Sequence, residues 1–176
     1  SMKEEIDRVV REVAENVRDM IRRLKRVLEE SLRRVDELVK EIKKVLDDVR
    51  RRIEEDGGDE LIAELDKIAE EVKRNAEKHL ERNKRLADEV RKELEKHRKE
   101  NERLIRELKD RADKNSSEET VKRLVEKIRE LNERSLDNVK KLLDRIRELL
   151  EESERNVKDI VRRIRDLLRR IKEKAT

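Results

Sequence analysis

The sequence predicts an all-α protein: a straight, up-down-up three-helix bundle with an eighteen-residue, five-turn core repeat. Three observations carry this prediction: the composition, two isolated breaks, and the repeat itself. Of 176 residues, 56% are charged and 33% hydrophobic, with no aromatic residue, no Pro, no Cys and two Gly. High charge with low hydrophobicity signals disorder in a chain rich in Pro, Gly and Ser. Here Glu, Lys, Arg, Leu, Val and Ile dominate at regular spacing, which is the composition of long helices.

The first helix is expected over 3–55. It runs into "RRIEEDGGDELIAELD", which holds both glycines, Gly57 and Gly58, then Asp59 as an N-cap: a helix stop followed by a helix start. The second, over 60–113, ends in "DRADKNSSEETVKRL". Asn115 suits a left-handed C-terminal position there, and Ser116 with Glu119 makes a capping box for a third helix over 118–174. At 1.5 Å per residue each helix is about 80 Å long, and the short loops set neighbours antiparallel. The whole of 1–176 is expected to form one domain.

The third helix exposes the repeat. In blocks of eighteen it reads VKRLVEKIRELNERSLDN, VKKLLDRIRELLEESERN and VKDIVRRIRDLLRRIKEK, aligning Val121, Val139 and Val157 and then Ile128, Ile146 and Ile164. The second helix aligns HLERNKRLADEVRKELEK over HRKENERLIRELKDRADK, and the first aligns IDRVVREVAENVRDMIRR over LKRVLEESLRRVDELVKE. Eighteen residues in five turns is about 3.6 per turn, the period of an unstrained helix, so the repeat imposes almost no supercoil.

Counting the apolar stripes identifies the candidate functional residues. The first helix carries apolar residues at about three positions in seven, as a bundle helix should, whereas the second manages only about a third. The shortfall closes when polar residues in the stripe are counted as core. Folding the chain antiparallel about its two breaks gathers these into two layers. One holds Ser31, Asn75, His79, Asn83, Ser153 and Asn156; the other holds Asn16, His97, Asn101, Asn132, Ser135 and Asn138. The same folding sets Asn83 opposite Ser31, His79 level with Ser153, Asn75 with Asn156, His97 with Ser135 and near Asn16, and Asn101 with Asn132. Aliphatic packing is non-directional and tolerates slippage, but a slipped bundle would strand buried amides at about 1–3 kcal/mol each. Polar layers therefore penalise wrong registers.

Other function classes fit the residues less well. His79 near Ser153 and Asn75 has the outline of a nucleophile, a base and an orienting amide, but no cleft or oxyanion hole is legible, which favours a structural network. The two histidines stand about 27 Å apart along one helix, with no thiolate or core carboxylate beside either, so no metal site or cofactor is expected within one chain. The net charge is only +4, acidic residues interleave with the basic ones, and no aromatic is available to stack on bases or anchor at an interface. No specific nucleic acid, no membrane and no obligatory partner are expected; copies of the chain could still associate.

Over its full length the chain resembles computationally designed, parametrically generated helical bundles with buried hydrogen-bond networks. The resemblance rests on the equal idealised helices, the eighteen-residue repeat, the minimal loops and Ser1-Met2, which looks like a tag-removal scar. It rests also on acid-to-base spacings of four at Asp7–Arg11, Glu30–Arg34, Glu70–Arg74, Glu118–Lys122 and Asp159–Arg163. Natural long-helix proteins fit less well, since spectrin-like repeats carry core aromatics and apolipoprotein-like repeats are punctuated by Pro. The resemblance implies a scaffold with no enzymatic activity, soluble in the cytoplasm of an expression host. Its histidine-containing networks resemble those of designed oligomers that come apart in acid, which implies a pH-responsive interaction module as the alternative.

Overall fold

A computed structural model of the chain describes residues 1–56, 58–114 and 117–175. Three helices account for nearly all of them: α1 (Met2–Asp56), α2 (Asp59–Asp113) and α3 (Glu118–Ala175), packed as a three-helix bundle with no strand among the described residues. The predicted limits hold to within one residue. Asp59 is the first residue of α2 rather than the residue before it, and the Gly58 carbonyl accepts the Leu61 N–H at 3.1 Å. Gly57, Asn115 and Ser116, assigned stop and cap roles above, lie outside the described residues. At the first turn of α3, Ser117 Oγ accepts the Thr120 N–H at 3.2 Å and shares a hydroxyl bond of 2.9 Å with Thr120 Oγ1.

Two compact units make up the chain: Ser1–Val27 with Arg85–Arg145, and Leu28–Lys84 with Ile146–Thr176. All three helices contribute a segment to each.

In the first unit, Ile6 and Val9 of α1, Leu104 and Leu108 of α2, and Val121, Val125 and Ile128 of α3 form the aliphatic core. In the second, Ile42, Val49 and Ile53 meet Leu61, Leu65 and Ile68, and Ile160, Ile164 and Leu167 close the third side. Register is legible in the ion pairs of the second unit. Glu64 pairs with Arg170, Glu71 with Arg163 and Arg82 with Glu152, so each advance along α2 is matched by an equal retreat along α3. Arg145–Glu89 shows the same antiparallel register in the first unit. Arg129–Glu12 in the first unit and Arg34–Glu154 in the second join α3 to α1, which run parallel. Two arginines expected in pairs along one helix are recruited this way: Arg34 reaches Glu154 as well as Glu37 on its own helix, and Arg163 reaches Glu71, while Glu118–Lys122 keeps its predicted pairing at 3.9 Å.

Candidate functional site: one polar layer in each unit

Each unit holds one of the two predicted layers, because a step of eighteen residues returns a helix to the same face. The layer of the second unit is built around His79, which is 4% exposed. Its Nε2 shares a hydrogen bond of 3.1 Å with Ser31 Oγ on α1, and its Nδ1 one of 2.7 Å with Ser153 Oγ on α3. Asn83, one turn further along α2, donates from Nδ2 to the same Ser31 Oγ at 3.1 Å. Both ring nitrogens are thus used, and one imidazole ties three helices together. Each serine hydroxyl can donate or accept, so the network tolerates either neutral tautomer. Asn75 and Asn156 flank it half-buried, with no hydrogen bond to the network among the described residues.

The layer of the first unit is arranged differently. His97 is 1% exposed, yet its partner is on its own helix: Asn101 Nδ2 donates to His97 Nε2 at 2.8 Å and to Asn132 Oδ1 on α3 at 3.4 Å. These bonds carry the imidazole to α3 through Asn101, and the Asn132 side chain also lies close enough to act on the ring. With Nε2 accepting, the proton of the neutral ring sits on Nδ1, which finds no partner among the described residues; Asn101 Oδ1 and, in the other layer, Asn83 Oδ1 share that condition. Ser135 is buried in this layer without bonding His97, and Asn16 is only half-buried.

Asn138 corrects the expectation outright. It is exposed and donates to Glu93 Oε1 at 3.1 Å, so it belongs to the surface. Drift explains this: each step of three residues falls about 60° short of a full turn, so Asn132 and Ser135 hold the inward face and one further step carries Asn138 past the seam. Ser153, Asn75 and Asn156 are half-buried for another reason, because they border an opening.

That opening is a polar cavity of about 120 Å³ lined by Asn75, Lys78, His79, Arg82, Leu149, Glu152, Ser153 and Asn156. No cleft was expected beside His79 and Ser153. Arg82 and Glu152 at its rim, paired at 3.3 Å, were not singled out in the sequence because they sit one position outside the core stripe. Electrostatically the two imidazoles behave alike. Burial lowers the pKa of His79, opposed by the negative charge of Glu152, with Arg82 adding to the lowering and the Leu149 carbonyl opposing it. Burial likewise lowers His97, opposed by the Asn132 side chain and by Glu93. Among the described residues no three His, Cys, Asp or Glu side chains cluster as a metal ion would need.

A bundle whose interior is aliphatic apart from one hydrogen-bonded layer in each unit belongs to a structural class of helical proteins. Within it the chain has an assigned kinship: a family described as lipoprotein matches residues 6–170, and the chain belongs to that family. No curated protein and no solved structure matches it. No helix among the described residues is long and apolar enough to cross a membrane.

Proposed function

We propose that this chain is a structural scaffold, written to a design-like repeat, in which the two polar layers specify the register of the helices and no catalytic turnover takes place. The observation that supports this most is the three-helix bridge Ser31–His79–Ser153, with Asn83 on the same hydroxyl. An aliphatic core alone gives many near-equal packings, whereas this bridge is satisfied in one register and leaves several polar groups stranded in the others. The decisive experiment replaces the bridge wholesale, as Ser31→Ala and Ser153→Ala with His79→Leu and Asn83→Leu, and follows molar mass by light scattering after size exclusion. The parent should elute as one species of fixed mass, and the variant, stable but underspecified, as a mixture. A variant as monodisperse as the parent would remove the register role.

A second reading, self-association, is favoured by large apolar side chains left in solvent: Ile21 at 39%, Leu32 at 42%, Val45 at 37% and Leu80 at 45% exposed. The same light-scattering measurement decides it, since a 21.4 kDa species excludes a stable homo-oligomer at the concentration used. The family description suggests lipid association, and this meets a physical obstacle. The apolar stripes are already consumed in the two cores, so a lipid surface would have to compete with helix packing.

A further inference from the structure

We propose that Ser153 is an acyl-accepting nucleophile with His79 as its general base, and that the polar cavity beside them admits small activated esters. This goes beyond the scaffold reading and can fail without touching it.

The geometry carries the proposal. Ser153 Oγ stands 2.7 Å from His79 Nδ1, within reach for proton transfer, and both side chains line the cavity. A third group holds the ring. Ser31 Oγ bonds Nε2 at 3.1 Å and is itself anchored by Asn83, so a proton kept on Nε2 leaves the Nδ1 lone pair aimed at Ser153. Nucleophile, base and orienting group thus come from three different helices, and placement on rigid helices favours a preorganised site. Asn75 and Asn156 are half-buried on the cavity wall, with no hydrogen bond among the described residues, and their amides are free to donate to an oxyanion. At about 120 Å³ the space is below the roughly 300 Å³ of a drug-sized site. It suits an acetyl group and excludes bulky acyl chains.

The step balances without any further reagent. The Ser153 oxygen bonds the acyl carbon while its proton passes to His79 Nδ1. The tetrahedral oxyanion collapses, the bond to the phenolate oxygen breaks, and the imidazolium returns its proton to the phenolate or to solvent. The products are an ester on Ser153 and a free phenol. The first unit supplies an internal control: Ser135 is buried, and its neighbour His97 is bonded to Asn101 instead.

The test treats the full chain with p-nitrophenyl acetate and maps acetyl groups by peptide mass spectrometry, using hydroxylamine lability to separate serine esters from lysine amides. A hydroxylamine-labile acetyl group on Ser153, and none on Ser135, is expected, with a burst of nitrophenol approaching one per chain. Ser153→Ala should remove that label, and His79→Asn should slow it by about 10²-fold or more, the contribution of a positioned base. The charged groups facing the ring are Glu152, Arg82 and Lys78 at the cavity; the contact from α1 is the neutral Ser31. Ser153 labelling should accordingly rise with pH only through the imidazole range and then level off, while lysine labelling keeps rising. Absence of label on Ser153, an equal rate in a folded His79→Asn variant, or a Ser153 rate that climbs with pH like the lysines would each overturn the proposal. If His79→Asn does not fold, the pH profile of the parent decides alone.

Discussion

The two polar layers begin from the same local phrase, a histidine followed four residues later by asparagine, and end as different networks. At His79 both ring nitrogens are engaged and the bonds run to α1 and α3. At His97 one nitrogen is engaged, by the asparagine of the same phrase, and the other is buried without a partner among the described residues. The difference originates on α1. Ser31 presents a short hydroxyl, 2% exposed, that can accept from Asn83 and bond His79 at once; the first unit has Asn16 instead, longer and turned half out of the core. Asn101, lacking a partner on α1, turns back to His97. The local motif brings polar groups inside, but the partner on the facing helix decides whether they form a bridge.

Single substitutions should separate the layers most. His79→Leu leaves Ser31 with Asn83 alone, takes the imidazole partner from Ser153 and breaks the link between helices, at about 2–4 kcal/mol when unmet groups cost about 1–3 kcal/mol each. His97→Leu removes a nitrogen that is already unpaired and strands mainly Asn101, so about 1–2 kcal/mol is expected. Guanidinium unfolding followed by circular dichroism measures both, and an equal or larger cost at His97 breaks the comparison. The combined Ser31→Ala, Ser153→Ala, His79→Leu, Asn83→Leu variant should unfold at or above the parent's midpoint, because desolvation costs leave together with the bonds.

Acid acts on both layers in the same direction. Each folded pKa is lowered below the usual value of about 6.5, so the unfolded chain takes up protons first. Stability is therefore full above that pH and declines as pH falls toward the folded values, with a slope of at most about 2.7 kcal/mol per pH unit for two histidines. The parent's midpoint should drop between pH 7.5 and 4.5, and His79→Asn or His97→Asn should each remove about half of that drop. A variant carrying both changes that still shifts as far as the parent would place the titration elsewhere.

The smallest effect belongs to the misassigned residue. Asn138→Ala deletes one exposed bond to Glu93 and should change stability by no more than about 0.5 kcal/mol. A loss near 2 kcal/mol would return it to the core.

What was legible in the chain follows the same division. The helix count, the limits and the antiparallel registers could be read because periodicity and two breaks determine them locally. The partners Ser31–Asn83 and His79–Ser153 came from reflecting the chain about those breaks, a one-dimensional operation that suits straight helices. Burial at the seam could not be read this way. Asn138, Asn16 and Asn156 lie where a rotation of tens of degrees carries a side chain from core to solvent, and residue numbers do not resolve such a rotation. The cavity beside Ser153 was equally hidden, since it is a volume left over by side chains rather than a pattern within them.

His79 and His97 are the only histidines in the sequence, and one lies in each compact unit. Two imidazole resonances therefore report separately on two halves of the chain, without any label being introduced. Followed through a denaturant series, they distinguish a molecule that melts as one body from one whose units open at different free energies, a question an average helical signal cannot resolve. Concurrent loss of both signals makes each helix a mechanical coupling between the units, and staggered loss makes it a tether between two independent folding events.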